Sequence, residues 1–171
     1  FWKSKNYIAA DTIIVATRYN YDDIEILPDI IQTVMDDGKN ILLTLNIFEF
    51  NREASGYSFI DKVVLNNLEA SLEVISSKVN RAYFEYFKSN TDNISLRKNL
   101  KISQIANDFK IPTLNRMEYV CEVEIEQCFV VDTNLSKNFY DYGHHTLKGA
   151  QYFSQHDRLE KFLRPLFSGS D

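Results

Sequence analysis

The sequence predicts an α/β protein built on a parallel sheet, and three observations carry that expectation. Two runs of strand length, DTIIVATRY (11–19) and NILLTLNIF (40–48), are rich in β-branched and apolar residues. Stretches with apolar residues at helical spacing follow each of them. Only five glycines and three prolines punctuate 171 residues, which favours compact structure rich in helix.

The elements follow in order. The first run opens on Asp11 and then turns apolar, as a strand does on leaving a loop. DDIEILPDIIQTVMDDGKN then sets Ile24, Leu27, Ile30, Ile31 and Val34 at helical spacing, with Gly38 placed to end the helix. The second run is apolar almost throughout, which suits a parallel strand buried on both faces. NREASGYS (51–58) reads as a loop. A long helical pattern runs from about Phe59 to Lys88 through Val63, Val64, Leu68, Leu72, Ile75, Val79, Ala82 and Phe87. SNTDN (89–93) separates it from a helix over about Ile94 to Phe109, and KIPTLN (110–115) reads as a short strand. A cysteine-containing segment and CFVVDT come next, and a terminal helix is expected from Thr146 to about Phe167, in one piece or two.

Bulk properties narrow the function classes. Hydrophobic residues at 44% and charged residues at 25% describe one ordinary globular domain spanning 1–171. A net charge of −5 supplies no basic excess to neutralise phosphates, so no nucleic-acid partner is expected. No apolar run reaches the roughly 18 residues of a membrane span. The chain opens FWKSKNY, without an initiator Met, so the expectation is one domain of a longer protein. Cys121 and Cys128 are either free thiols or a disulfide, and their close spacing in a glutamate-rich segment suits a small closed ring. Such a ring would place the domain outside the reducing cytoplasm. Two cysteines make no four-ligand structural metal site.

The stretch FYDYGHHTLKGAQYF (139–153) carries the candidate chemistry. A carboxylate at Asp141 can accept a proton from one imidazole nitrogen of His144, leaving the other as a base for a hydroxyl nucleophile. Histidine titrates near neutrality and can both take and return that proton. Two alternatives compete with this dyad. One is a polar turn in which Thr146 caps the following helix. The other is a metal site of Asp141, His144 and His145, with His156, although adjacent histidines usually point different ways.

DYGHHTLKGA (141–150) resembles the last signature block of the SGNH (GDSL-like) hydrolases and acyltransferases: Asp-x-x-His, a bulky residue, Ser or Thr, two free positions, then Gly-Ala. It is most similar to the SGNH domains attached to membrane acyltransferases that O-acylate bacterial surface polysaccharides, where a cysteine pair commonly precedes this block. ADTIIVATRY and GKNILLTLNIFEF resemble the middle section of those domains, so the likeness spans roughly residues 9 to 153.

The resemblance implies a three-layer α/β/α flavodoxin-like fold and a Ser-His-Asp site. His144 would be the base, Asp141 the triad acid and Asn20 an oxyanion-hole donor. It further implies an acyl donor and a carbohydrate acceptor as partners, no metal or organic cofactor, and the periplasmic face of the bacterial inner membrane as the location, beside an N-terminal membrane acyltransferase domain.

Three departures stand out, one being that the family's second block, with its oxyanion glycine, is missing. No Gly-Asp-Ser nucleophile block occurs, and GSD at 169–171 has the wrong order and follows the histidine; Ser55 and Ser58 lack a nucleophile-elbow context. Arg18 replaces the glycine usual two residues before the Asn, and either binds an anionic substrate group or is an ordinary solvated arginine. In the family the serine strand lies beside the one DTIIVATRY resembles. Without it, an apolar strand would offer an open edge and an uncovered face. The expectation is therefore an upstream segment carrying two strands and the serine. The alternatives are a free-standing SGNH esterase, an inactive binding domain of the same fold, or a response-regulator-like fold using Asp22 and Asp23. Tyr83, Phe84, Tyr86 and Phe87 are expected as core and flank, and Glu49 and Glu53 as loop residues that could line a cleft.

Overall fold

A computed structural model of the chain describes residues 1–47, 59–90, 93–140, 143–155 and 160. In order, its elements are α1 (Lys5–Ala9), β1 (Thr12–Val15), α2 (Tyr21–Asp36), β2 (Asn40–Thr44), α3 (Phe59–Leu65), α4 (Leu72–Ser89), α5 (Ile94–Phe109), β3 (Thr113–Leu114), α6 (Met117–Val120), β4 (Cys121–Glu122), β5 (Gln127–Cys128) and α7 (Leu147–Ser154). They divide between two compact units. One holds Phe1–Ile47 and Ile94–Arg116; the other holds the described residues within Phe48–Asn93 and Met117–Phe162.

The first unit carries the expected parallel sheet, in the order β1-β2-β3. Ile13 pairs with Ile41 and Val15 with Leu43, so the alternation of a strand puts these side chains on one face. That face joins Leu45 to Ile24, Leu27, Ile31 and Val34 of α2 and to Ile102 and Ala106 of α5. Two periodicities, 2 for strand and 3.6 for helix, thereby meet in one core.

Both ends of α2 are written in its residues. Asn20 accepts from the Asp23 amide at 2.9 Å while Asp23 accepts from the Asn20 amide at 2.9 Å, a reciprocal capping box. At the far end Gly38 takes φ 71°, its amide bonds the Met35 carbonyl and the Lys39 amide bonds Val34. This is the left-handed stop that a residue without Cβ reaches at no steric cost. Lys110 plays the same part after α5 at φ 57°. The N-terminal residues add α1, capped by Ser4 and tied down where Tyr7 donates to Asp37 (2.5 Å) and Lys39 donates to the carbonyls of Ile8 (3.2 Å) and Ala10 (2.6 Å).

β1 ends the sheet. Among the described residues no strand pairs with its outer side, and Ile14 is 48% exposed, whereas Leu42 and Thr44 on the same face of β2 are buried. The strand itself is narrower than the run 11–19 suggests, because the chain leaves the ladder after Val15 to start α2.

In the second unit the single helix expected over 59–88 is two. Asn67 bonds the Val63 carbonyl through its side chain (2.7 Å), closing α3, and Ser71 caps a fresh start by accepting from Val74 (3.4 Å). Short polar side chains that bond nearby backbone interrupt a helix even where apolar spacing runs on. From α4, buried Asn80 accepts from the amides of Val130 (3.0 Å) and Val131 (3.2 Å) and donates to the Val131 carbonyl (3.1 Å). Tyr83 and Phe84 are buried and Tyr86 and Phe87 half-buried, as core and flank. Burial drives the Tyr83 phenol well above its ordinary range.

Cys121 and Cys128 face each other across the β4–β5 hairpin and form a disulfide. No helix among the described residues is long and apolar enough to cross a membrane. The loop 51–58 and the far part of the expected terminal helix, 156–159 and 161–167, lie outside the described residues. A ring closed between cysteines seven positions apart should contribute about 2.5 kcal/mol. Reduction should lower the unfolding free energy read by chemical denaturation by that amount, and the Cys121→Ser/Cys128→Ser protein should show the loss with no further response to reductant.

Candidate active site

The histidine block is held by backbone. Buried Asn138 takes the Val130 carbonyl with its amide (2.8 Å), the Phe129 carbonyl with its side chain (3.0 Å), and receives the Thr146 amide on its own carbonyl (3.0 Å). Thr146 caps α7: its hydroxyl accepts from the Gly149 amide at 2.9 Å and donates to the Lys137 carbonyl at 2.7 Å. The alternative read from sequence, a polar turn with a capping threonine, is thus physically present.

Gly149 explains itself in the same geometry. A Cβ built there would stand 2.0 Å from the Asn138 carbonyl oxygen and 2.7 Å from its carbon, so only hydrogen fits between α7 and that backbone.

The two histidines diverge. Tyr140 donates its amide to the His144 carbonyl (3.0 Å), and Phe139 forms an antiparallel bridge with His145. Neighbours in such extended backbone face opposite ways. His144 is exposed, its ring stacked on Tyr140 with centroids 5.5 Å apart and planes at 15°. The His145 ring turns inward among Phe139 (4.5 Å), Phe153 (5.0 Å) and Tyr119 (5.8 Å), with Nε2 3.0 Å from the Tyr119 hydroxyl. A solvent-facing imidazole on a rigid frame can exchange protons with a substrate; one packed between phenyl rings anchors the loop.

Asp141, His156, Glu49, Glu53, Ser55 and Ser58 lie outside the described residues. Among those described, no group of three His, Cys, Asp or Glu side chains is placed to hold a metal ion.

Asn20 belongs to the first unit, His144 to the second. Asn20 stands at the carboxyl end of β1 as the cap of α2. Capping uses the carbonyl end of its amide; the NH2 end is the donor an oxyanion would need, so the two roles are chemically compatible. Arg18 is exposed, and Asp22 and Asp23 occupy the first turn of α2. Behind this turn lies a buried polar cluster that sequence reading did not single out. The Tyr19 amide donates to Asn46 Oδ1 (2.9 Å), its hydroxyl donates to the Val15 carbonyl (2.7 Å), and Arg116 Nε donates to the Leu45 carbonyl (3.0 Å). Burial, partly offset by the Arg116 charge, pushes the Tyr19 phenol up to about 12.

Two outcomes follow. Gly149→Ala should cost about 3 kcal/mol, at the upper end for overpacking because the obstruction is backbone, and chemical denaturation reads it. Because folding raises the Tyr19 value, its contribution is complete below the ordinary tyrosine pKa of about 10 and fades as pH climbs from there towards about 12. Alkaline unfolding followed by tyrosinate absorbance should show this, and Tyr19→Phe should move the onset to higher pH.

Comparison with known proteins returned no matching family model, no matching curated protein and no matching solved structure.

Proposed function

We propose that this chain supplies the base and acid of an SGNH-type Ser-His-Asp site, on a flavodoxin-like α/β/α fold, and acts as an O-acyltransferase on carbohydrate hydroxyls. The observation that carries the reading is His144: exposed, stacked on Tyr140, and locked by main-chain bonds one turn ahead of a capped helix. Each recognisable position of the block then has a physical duty. Thr146 caps, Gly149 admits the Asn138 backbone, His145 anchors, and His144 presents its ring to solvent beside Tyr140.

The serine comes from an upstream segment in this reading, on a strand that pairs along the outer side of β1. Among the described residues the outer side of β1 is unpaired and Ile14 is half-exposed, which leaves room for such a strand. The serine hydroxyl attacks the acyl carbonyl carbon and its proton passes to His144, whose imidazolium Asp141 stabilises. The oxyanion is met by backbone amides. Collapse expels the donor's leaving group with the proton from His144. A sugar hydroxyl then attacks the acyl-serine, gives its proton to His144, and the serine departs with it. No metal or organic cofactor enters this cycle. The disulfide supports placement on the extracytoplasmic side, and an adjoining membrane acyltransferase domain is part of the same proposal.

In the full-length protein, His144→Ala should lower turnover of 4-nitrophenyl acetate by roughly 10⁴-fold or more. Because the side chain is exposed, melting should stay within about 0.5 kcal/mol of the parent. Turnover that survives the substitution removes His144 from the mechanism.

A further inference from the structure

Two adjacent histidines with identical side chains stand on opposite sides of one extended segment, and something must decide which of them faces out. A slip of one residue would exchange their places. The second unit holds a side chain placed to oppose that exchange. Tyr119 lies in α6 between Met117 and Val120, both buried, and two residues before the disulfide at Cys121. Beside it the Phe129 amide donates to the Val120 carbonyl at 2.8 Å, so the backbone that carries the phenol is held from both sides of the hairpin.

From that footing the Tyr119 ring meets Phe153 of α7 edge-on, with centroids 5.3 Å apart and planes at 68°. Its hydroxyl stands 3.0 Å from His145 Nε2. A phenol can give or take the proton of such a bond, so it suits either tautomer of the imidazole. Phe139 and Phe153 wall the same slot with hydrocarbon. An imidazole nitrogen that enters among phenyl rings gives up water, and the Tyr119 hydroxyl replaces that partner.

We propose that Tyr119 is a positioning residue: by holding the His145 ring inside, it sets where His144 presents its imidazole. This rests on the reading of His144 as the base. The link is short. His144 and His145 share a peptide bond, and the amide that bonds the His144 carbonyl belongs to Tyr140, the residue on whose ring His144 stacks. An inward His145 therefore keeps His144 outward, over Tyr140. Proton transfer needs the base within hydrogen-bond reach of the hydroxyl it serves, and a displacement of about 1 Å can cost on the order of 100-fold.

Two measurements on the full-length protein test this. Turnover of 4-nitrophenyl acetate reads the base. Carbethoxylation by diethyl pyrocarbonate, mapped by peptide fragmentation, reads which histidine is accessible; in the parent, His144 should be modified and His145 protected. Tyr119→Phe removes one oxygen and keeps the ring. It should lower kcat by roughly 10- to 100-fold with KM unchanged, and raise the labelling rate of His145 by roughly 5- to 10-fold. Tyr119→Phe/His145→Phe should be no worse than the poorer single variant, since the hydroxyl acts through that imidazole. A parental kcat, an unmoved His145 labelling rate, or losses that multiply overturn the assignment. If His144→Ala keeps its turnover, the ester-handling reading falls, and an unmoved labelling rate still overturns the hold of Tyr119 on the pair. Should Tyr119→Phe fail to fold, His145→Phe removes the same bond from the other side, and a parental kcat there overturns the assignment as well.

Discussion

Main-chain amides and carbonyls that leave water must find partners, and among the described residues four buried asparagines meet that requirement. Asn46 and Asn99 continue the sheet of the first unit past the last ladder bond. Asn80 receives two successive amides of the second unit and Asn138 bonds the carbonyls of Phe129 and Val130. A carboxamide carries a donor and an acceptor in one plane, as a peptide does, so it can stand in for a strand without bringing a charge inside. Leucine at 46, 80 or 99 would take the partner from a buried amide, and at 138 from the Phe129 carbonyl, at about 1–3 kcal/mol for each group left unbonded.

Much of the first unit was legible in the sequence. Alternation in TIIV, helical spacing through Ile24, Leu27, Ile31 and Val34, and Gly38 as a stop are local signals, and local physics honoured them. The break between α3 and α4 was not legible. Apolar spacing runs through it, and the decision falls to one bond from the Asn67 side chain. α1 was missed for a related reason: five residues are too few for periodicity to speak, and the helix persists because Tyr7 and Lys39 tie it to the turn after α2.

The histidine block shows the same division. Thr146 as a cap could be read from its place before an apolar helix, and the cysteine ring from its spacing. Which histidine faces solvent could not. That outcome depends on Tyr119, twenty-six positions earlier, and on Phe153 in the next helix. The asparagine pair escaped for the same reason, since Asn46 and Asn99 are fifty-three positions apart and neither carries a motif. Tertiary partners of this kind leave no trace in spacing.

The contact between α7 and Asn138 is hydrogen against carbonyl, main chain on main chain. Its separation is therefore set by van der Waals contact between main-chain atoms rather than by the bulk of any side chain. Phe139, Tyr152 and Phe153 around it can drift in size over evolutionary time while the loop above them keeps its height. A frame of this sort lets the surface beside His144 change without disturbing the ring itself.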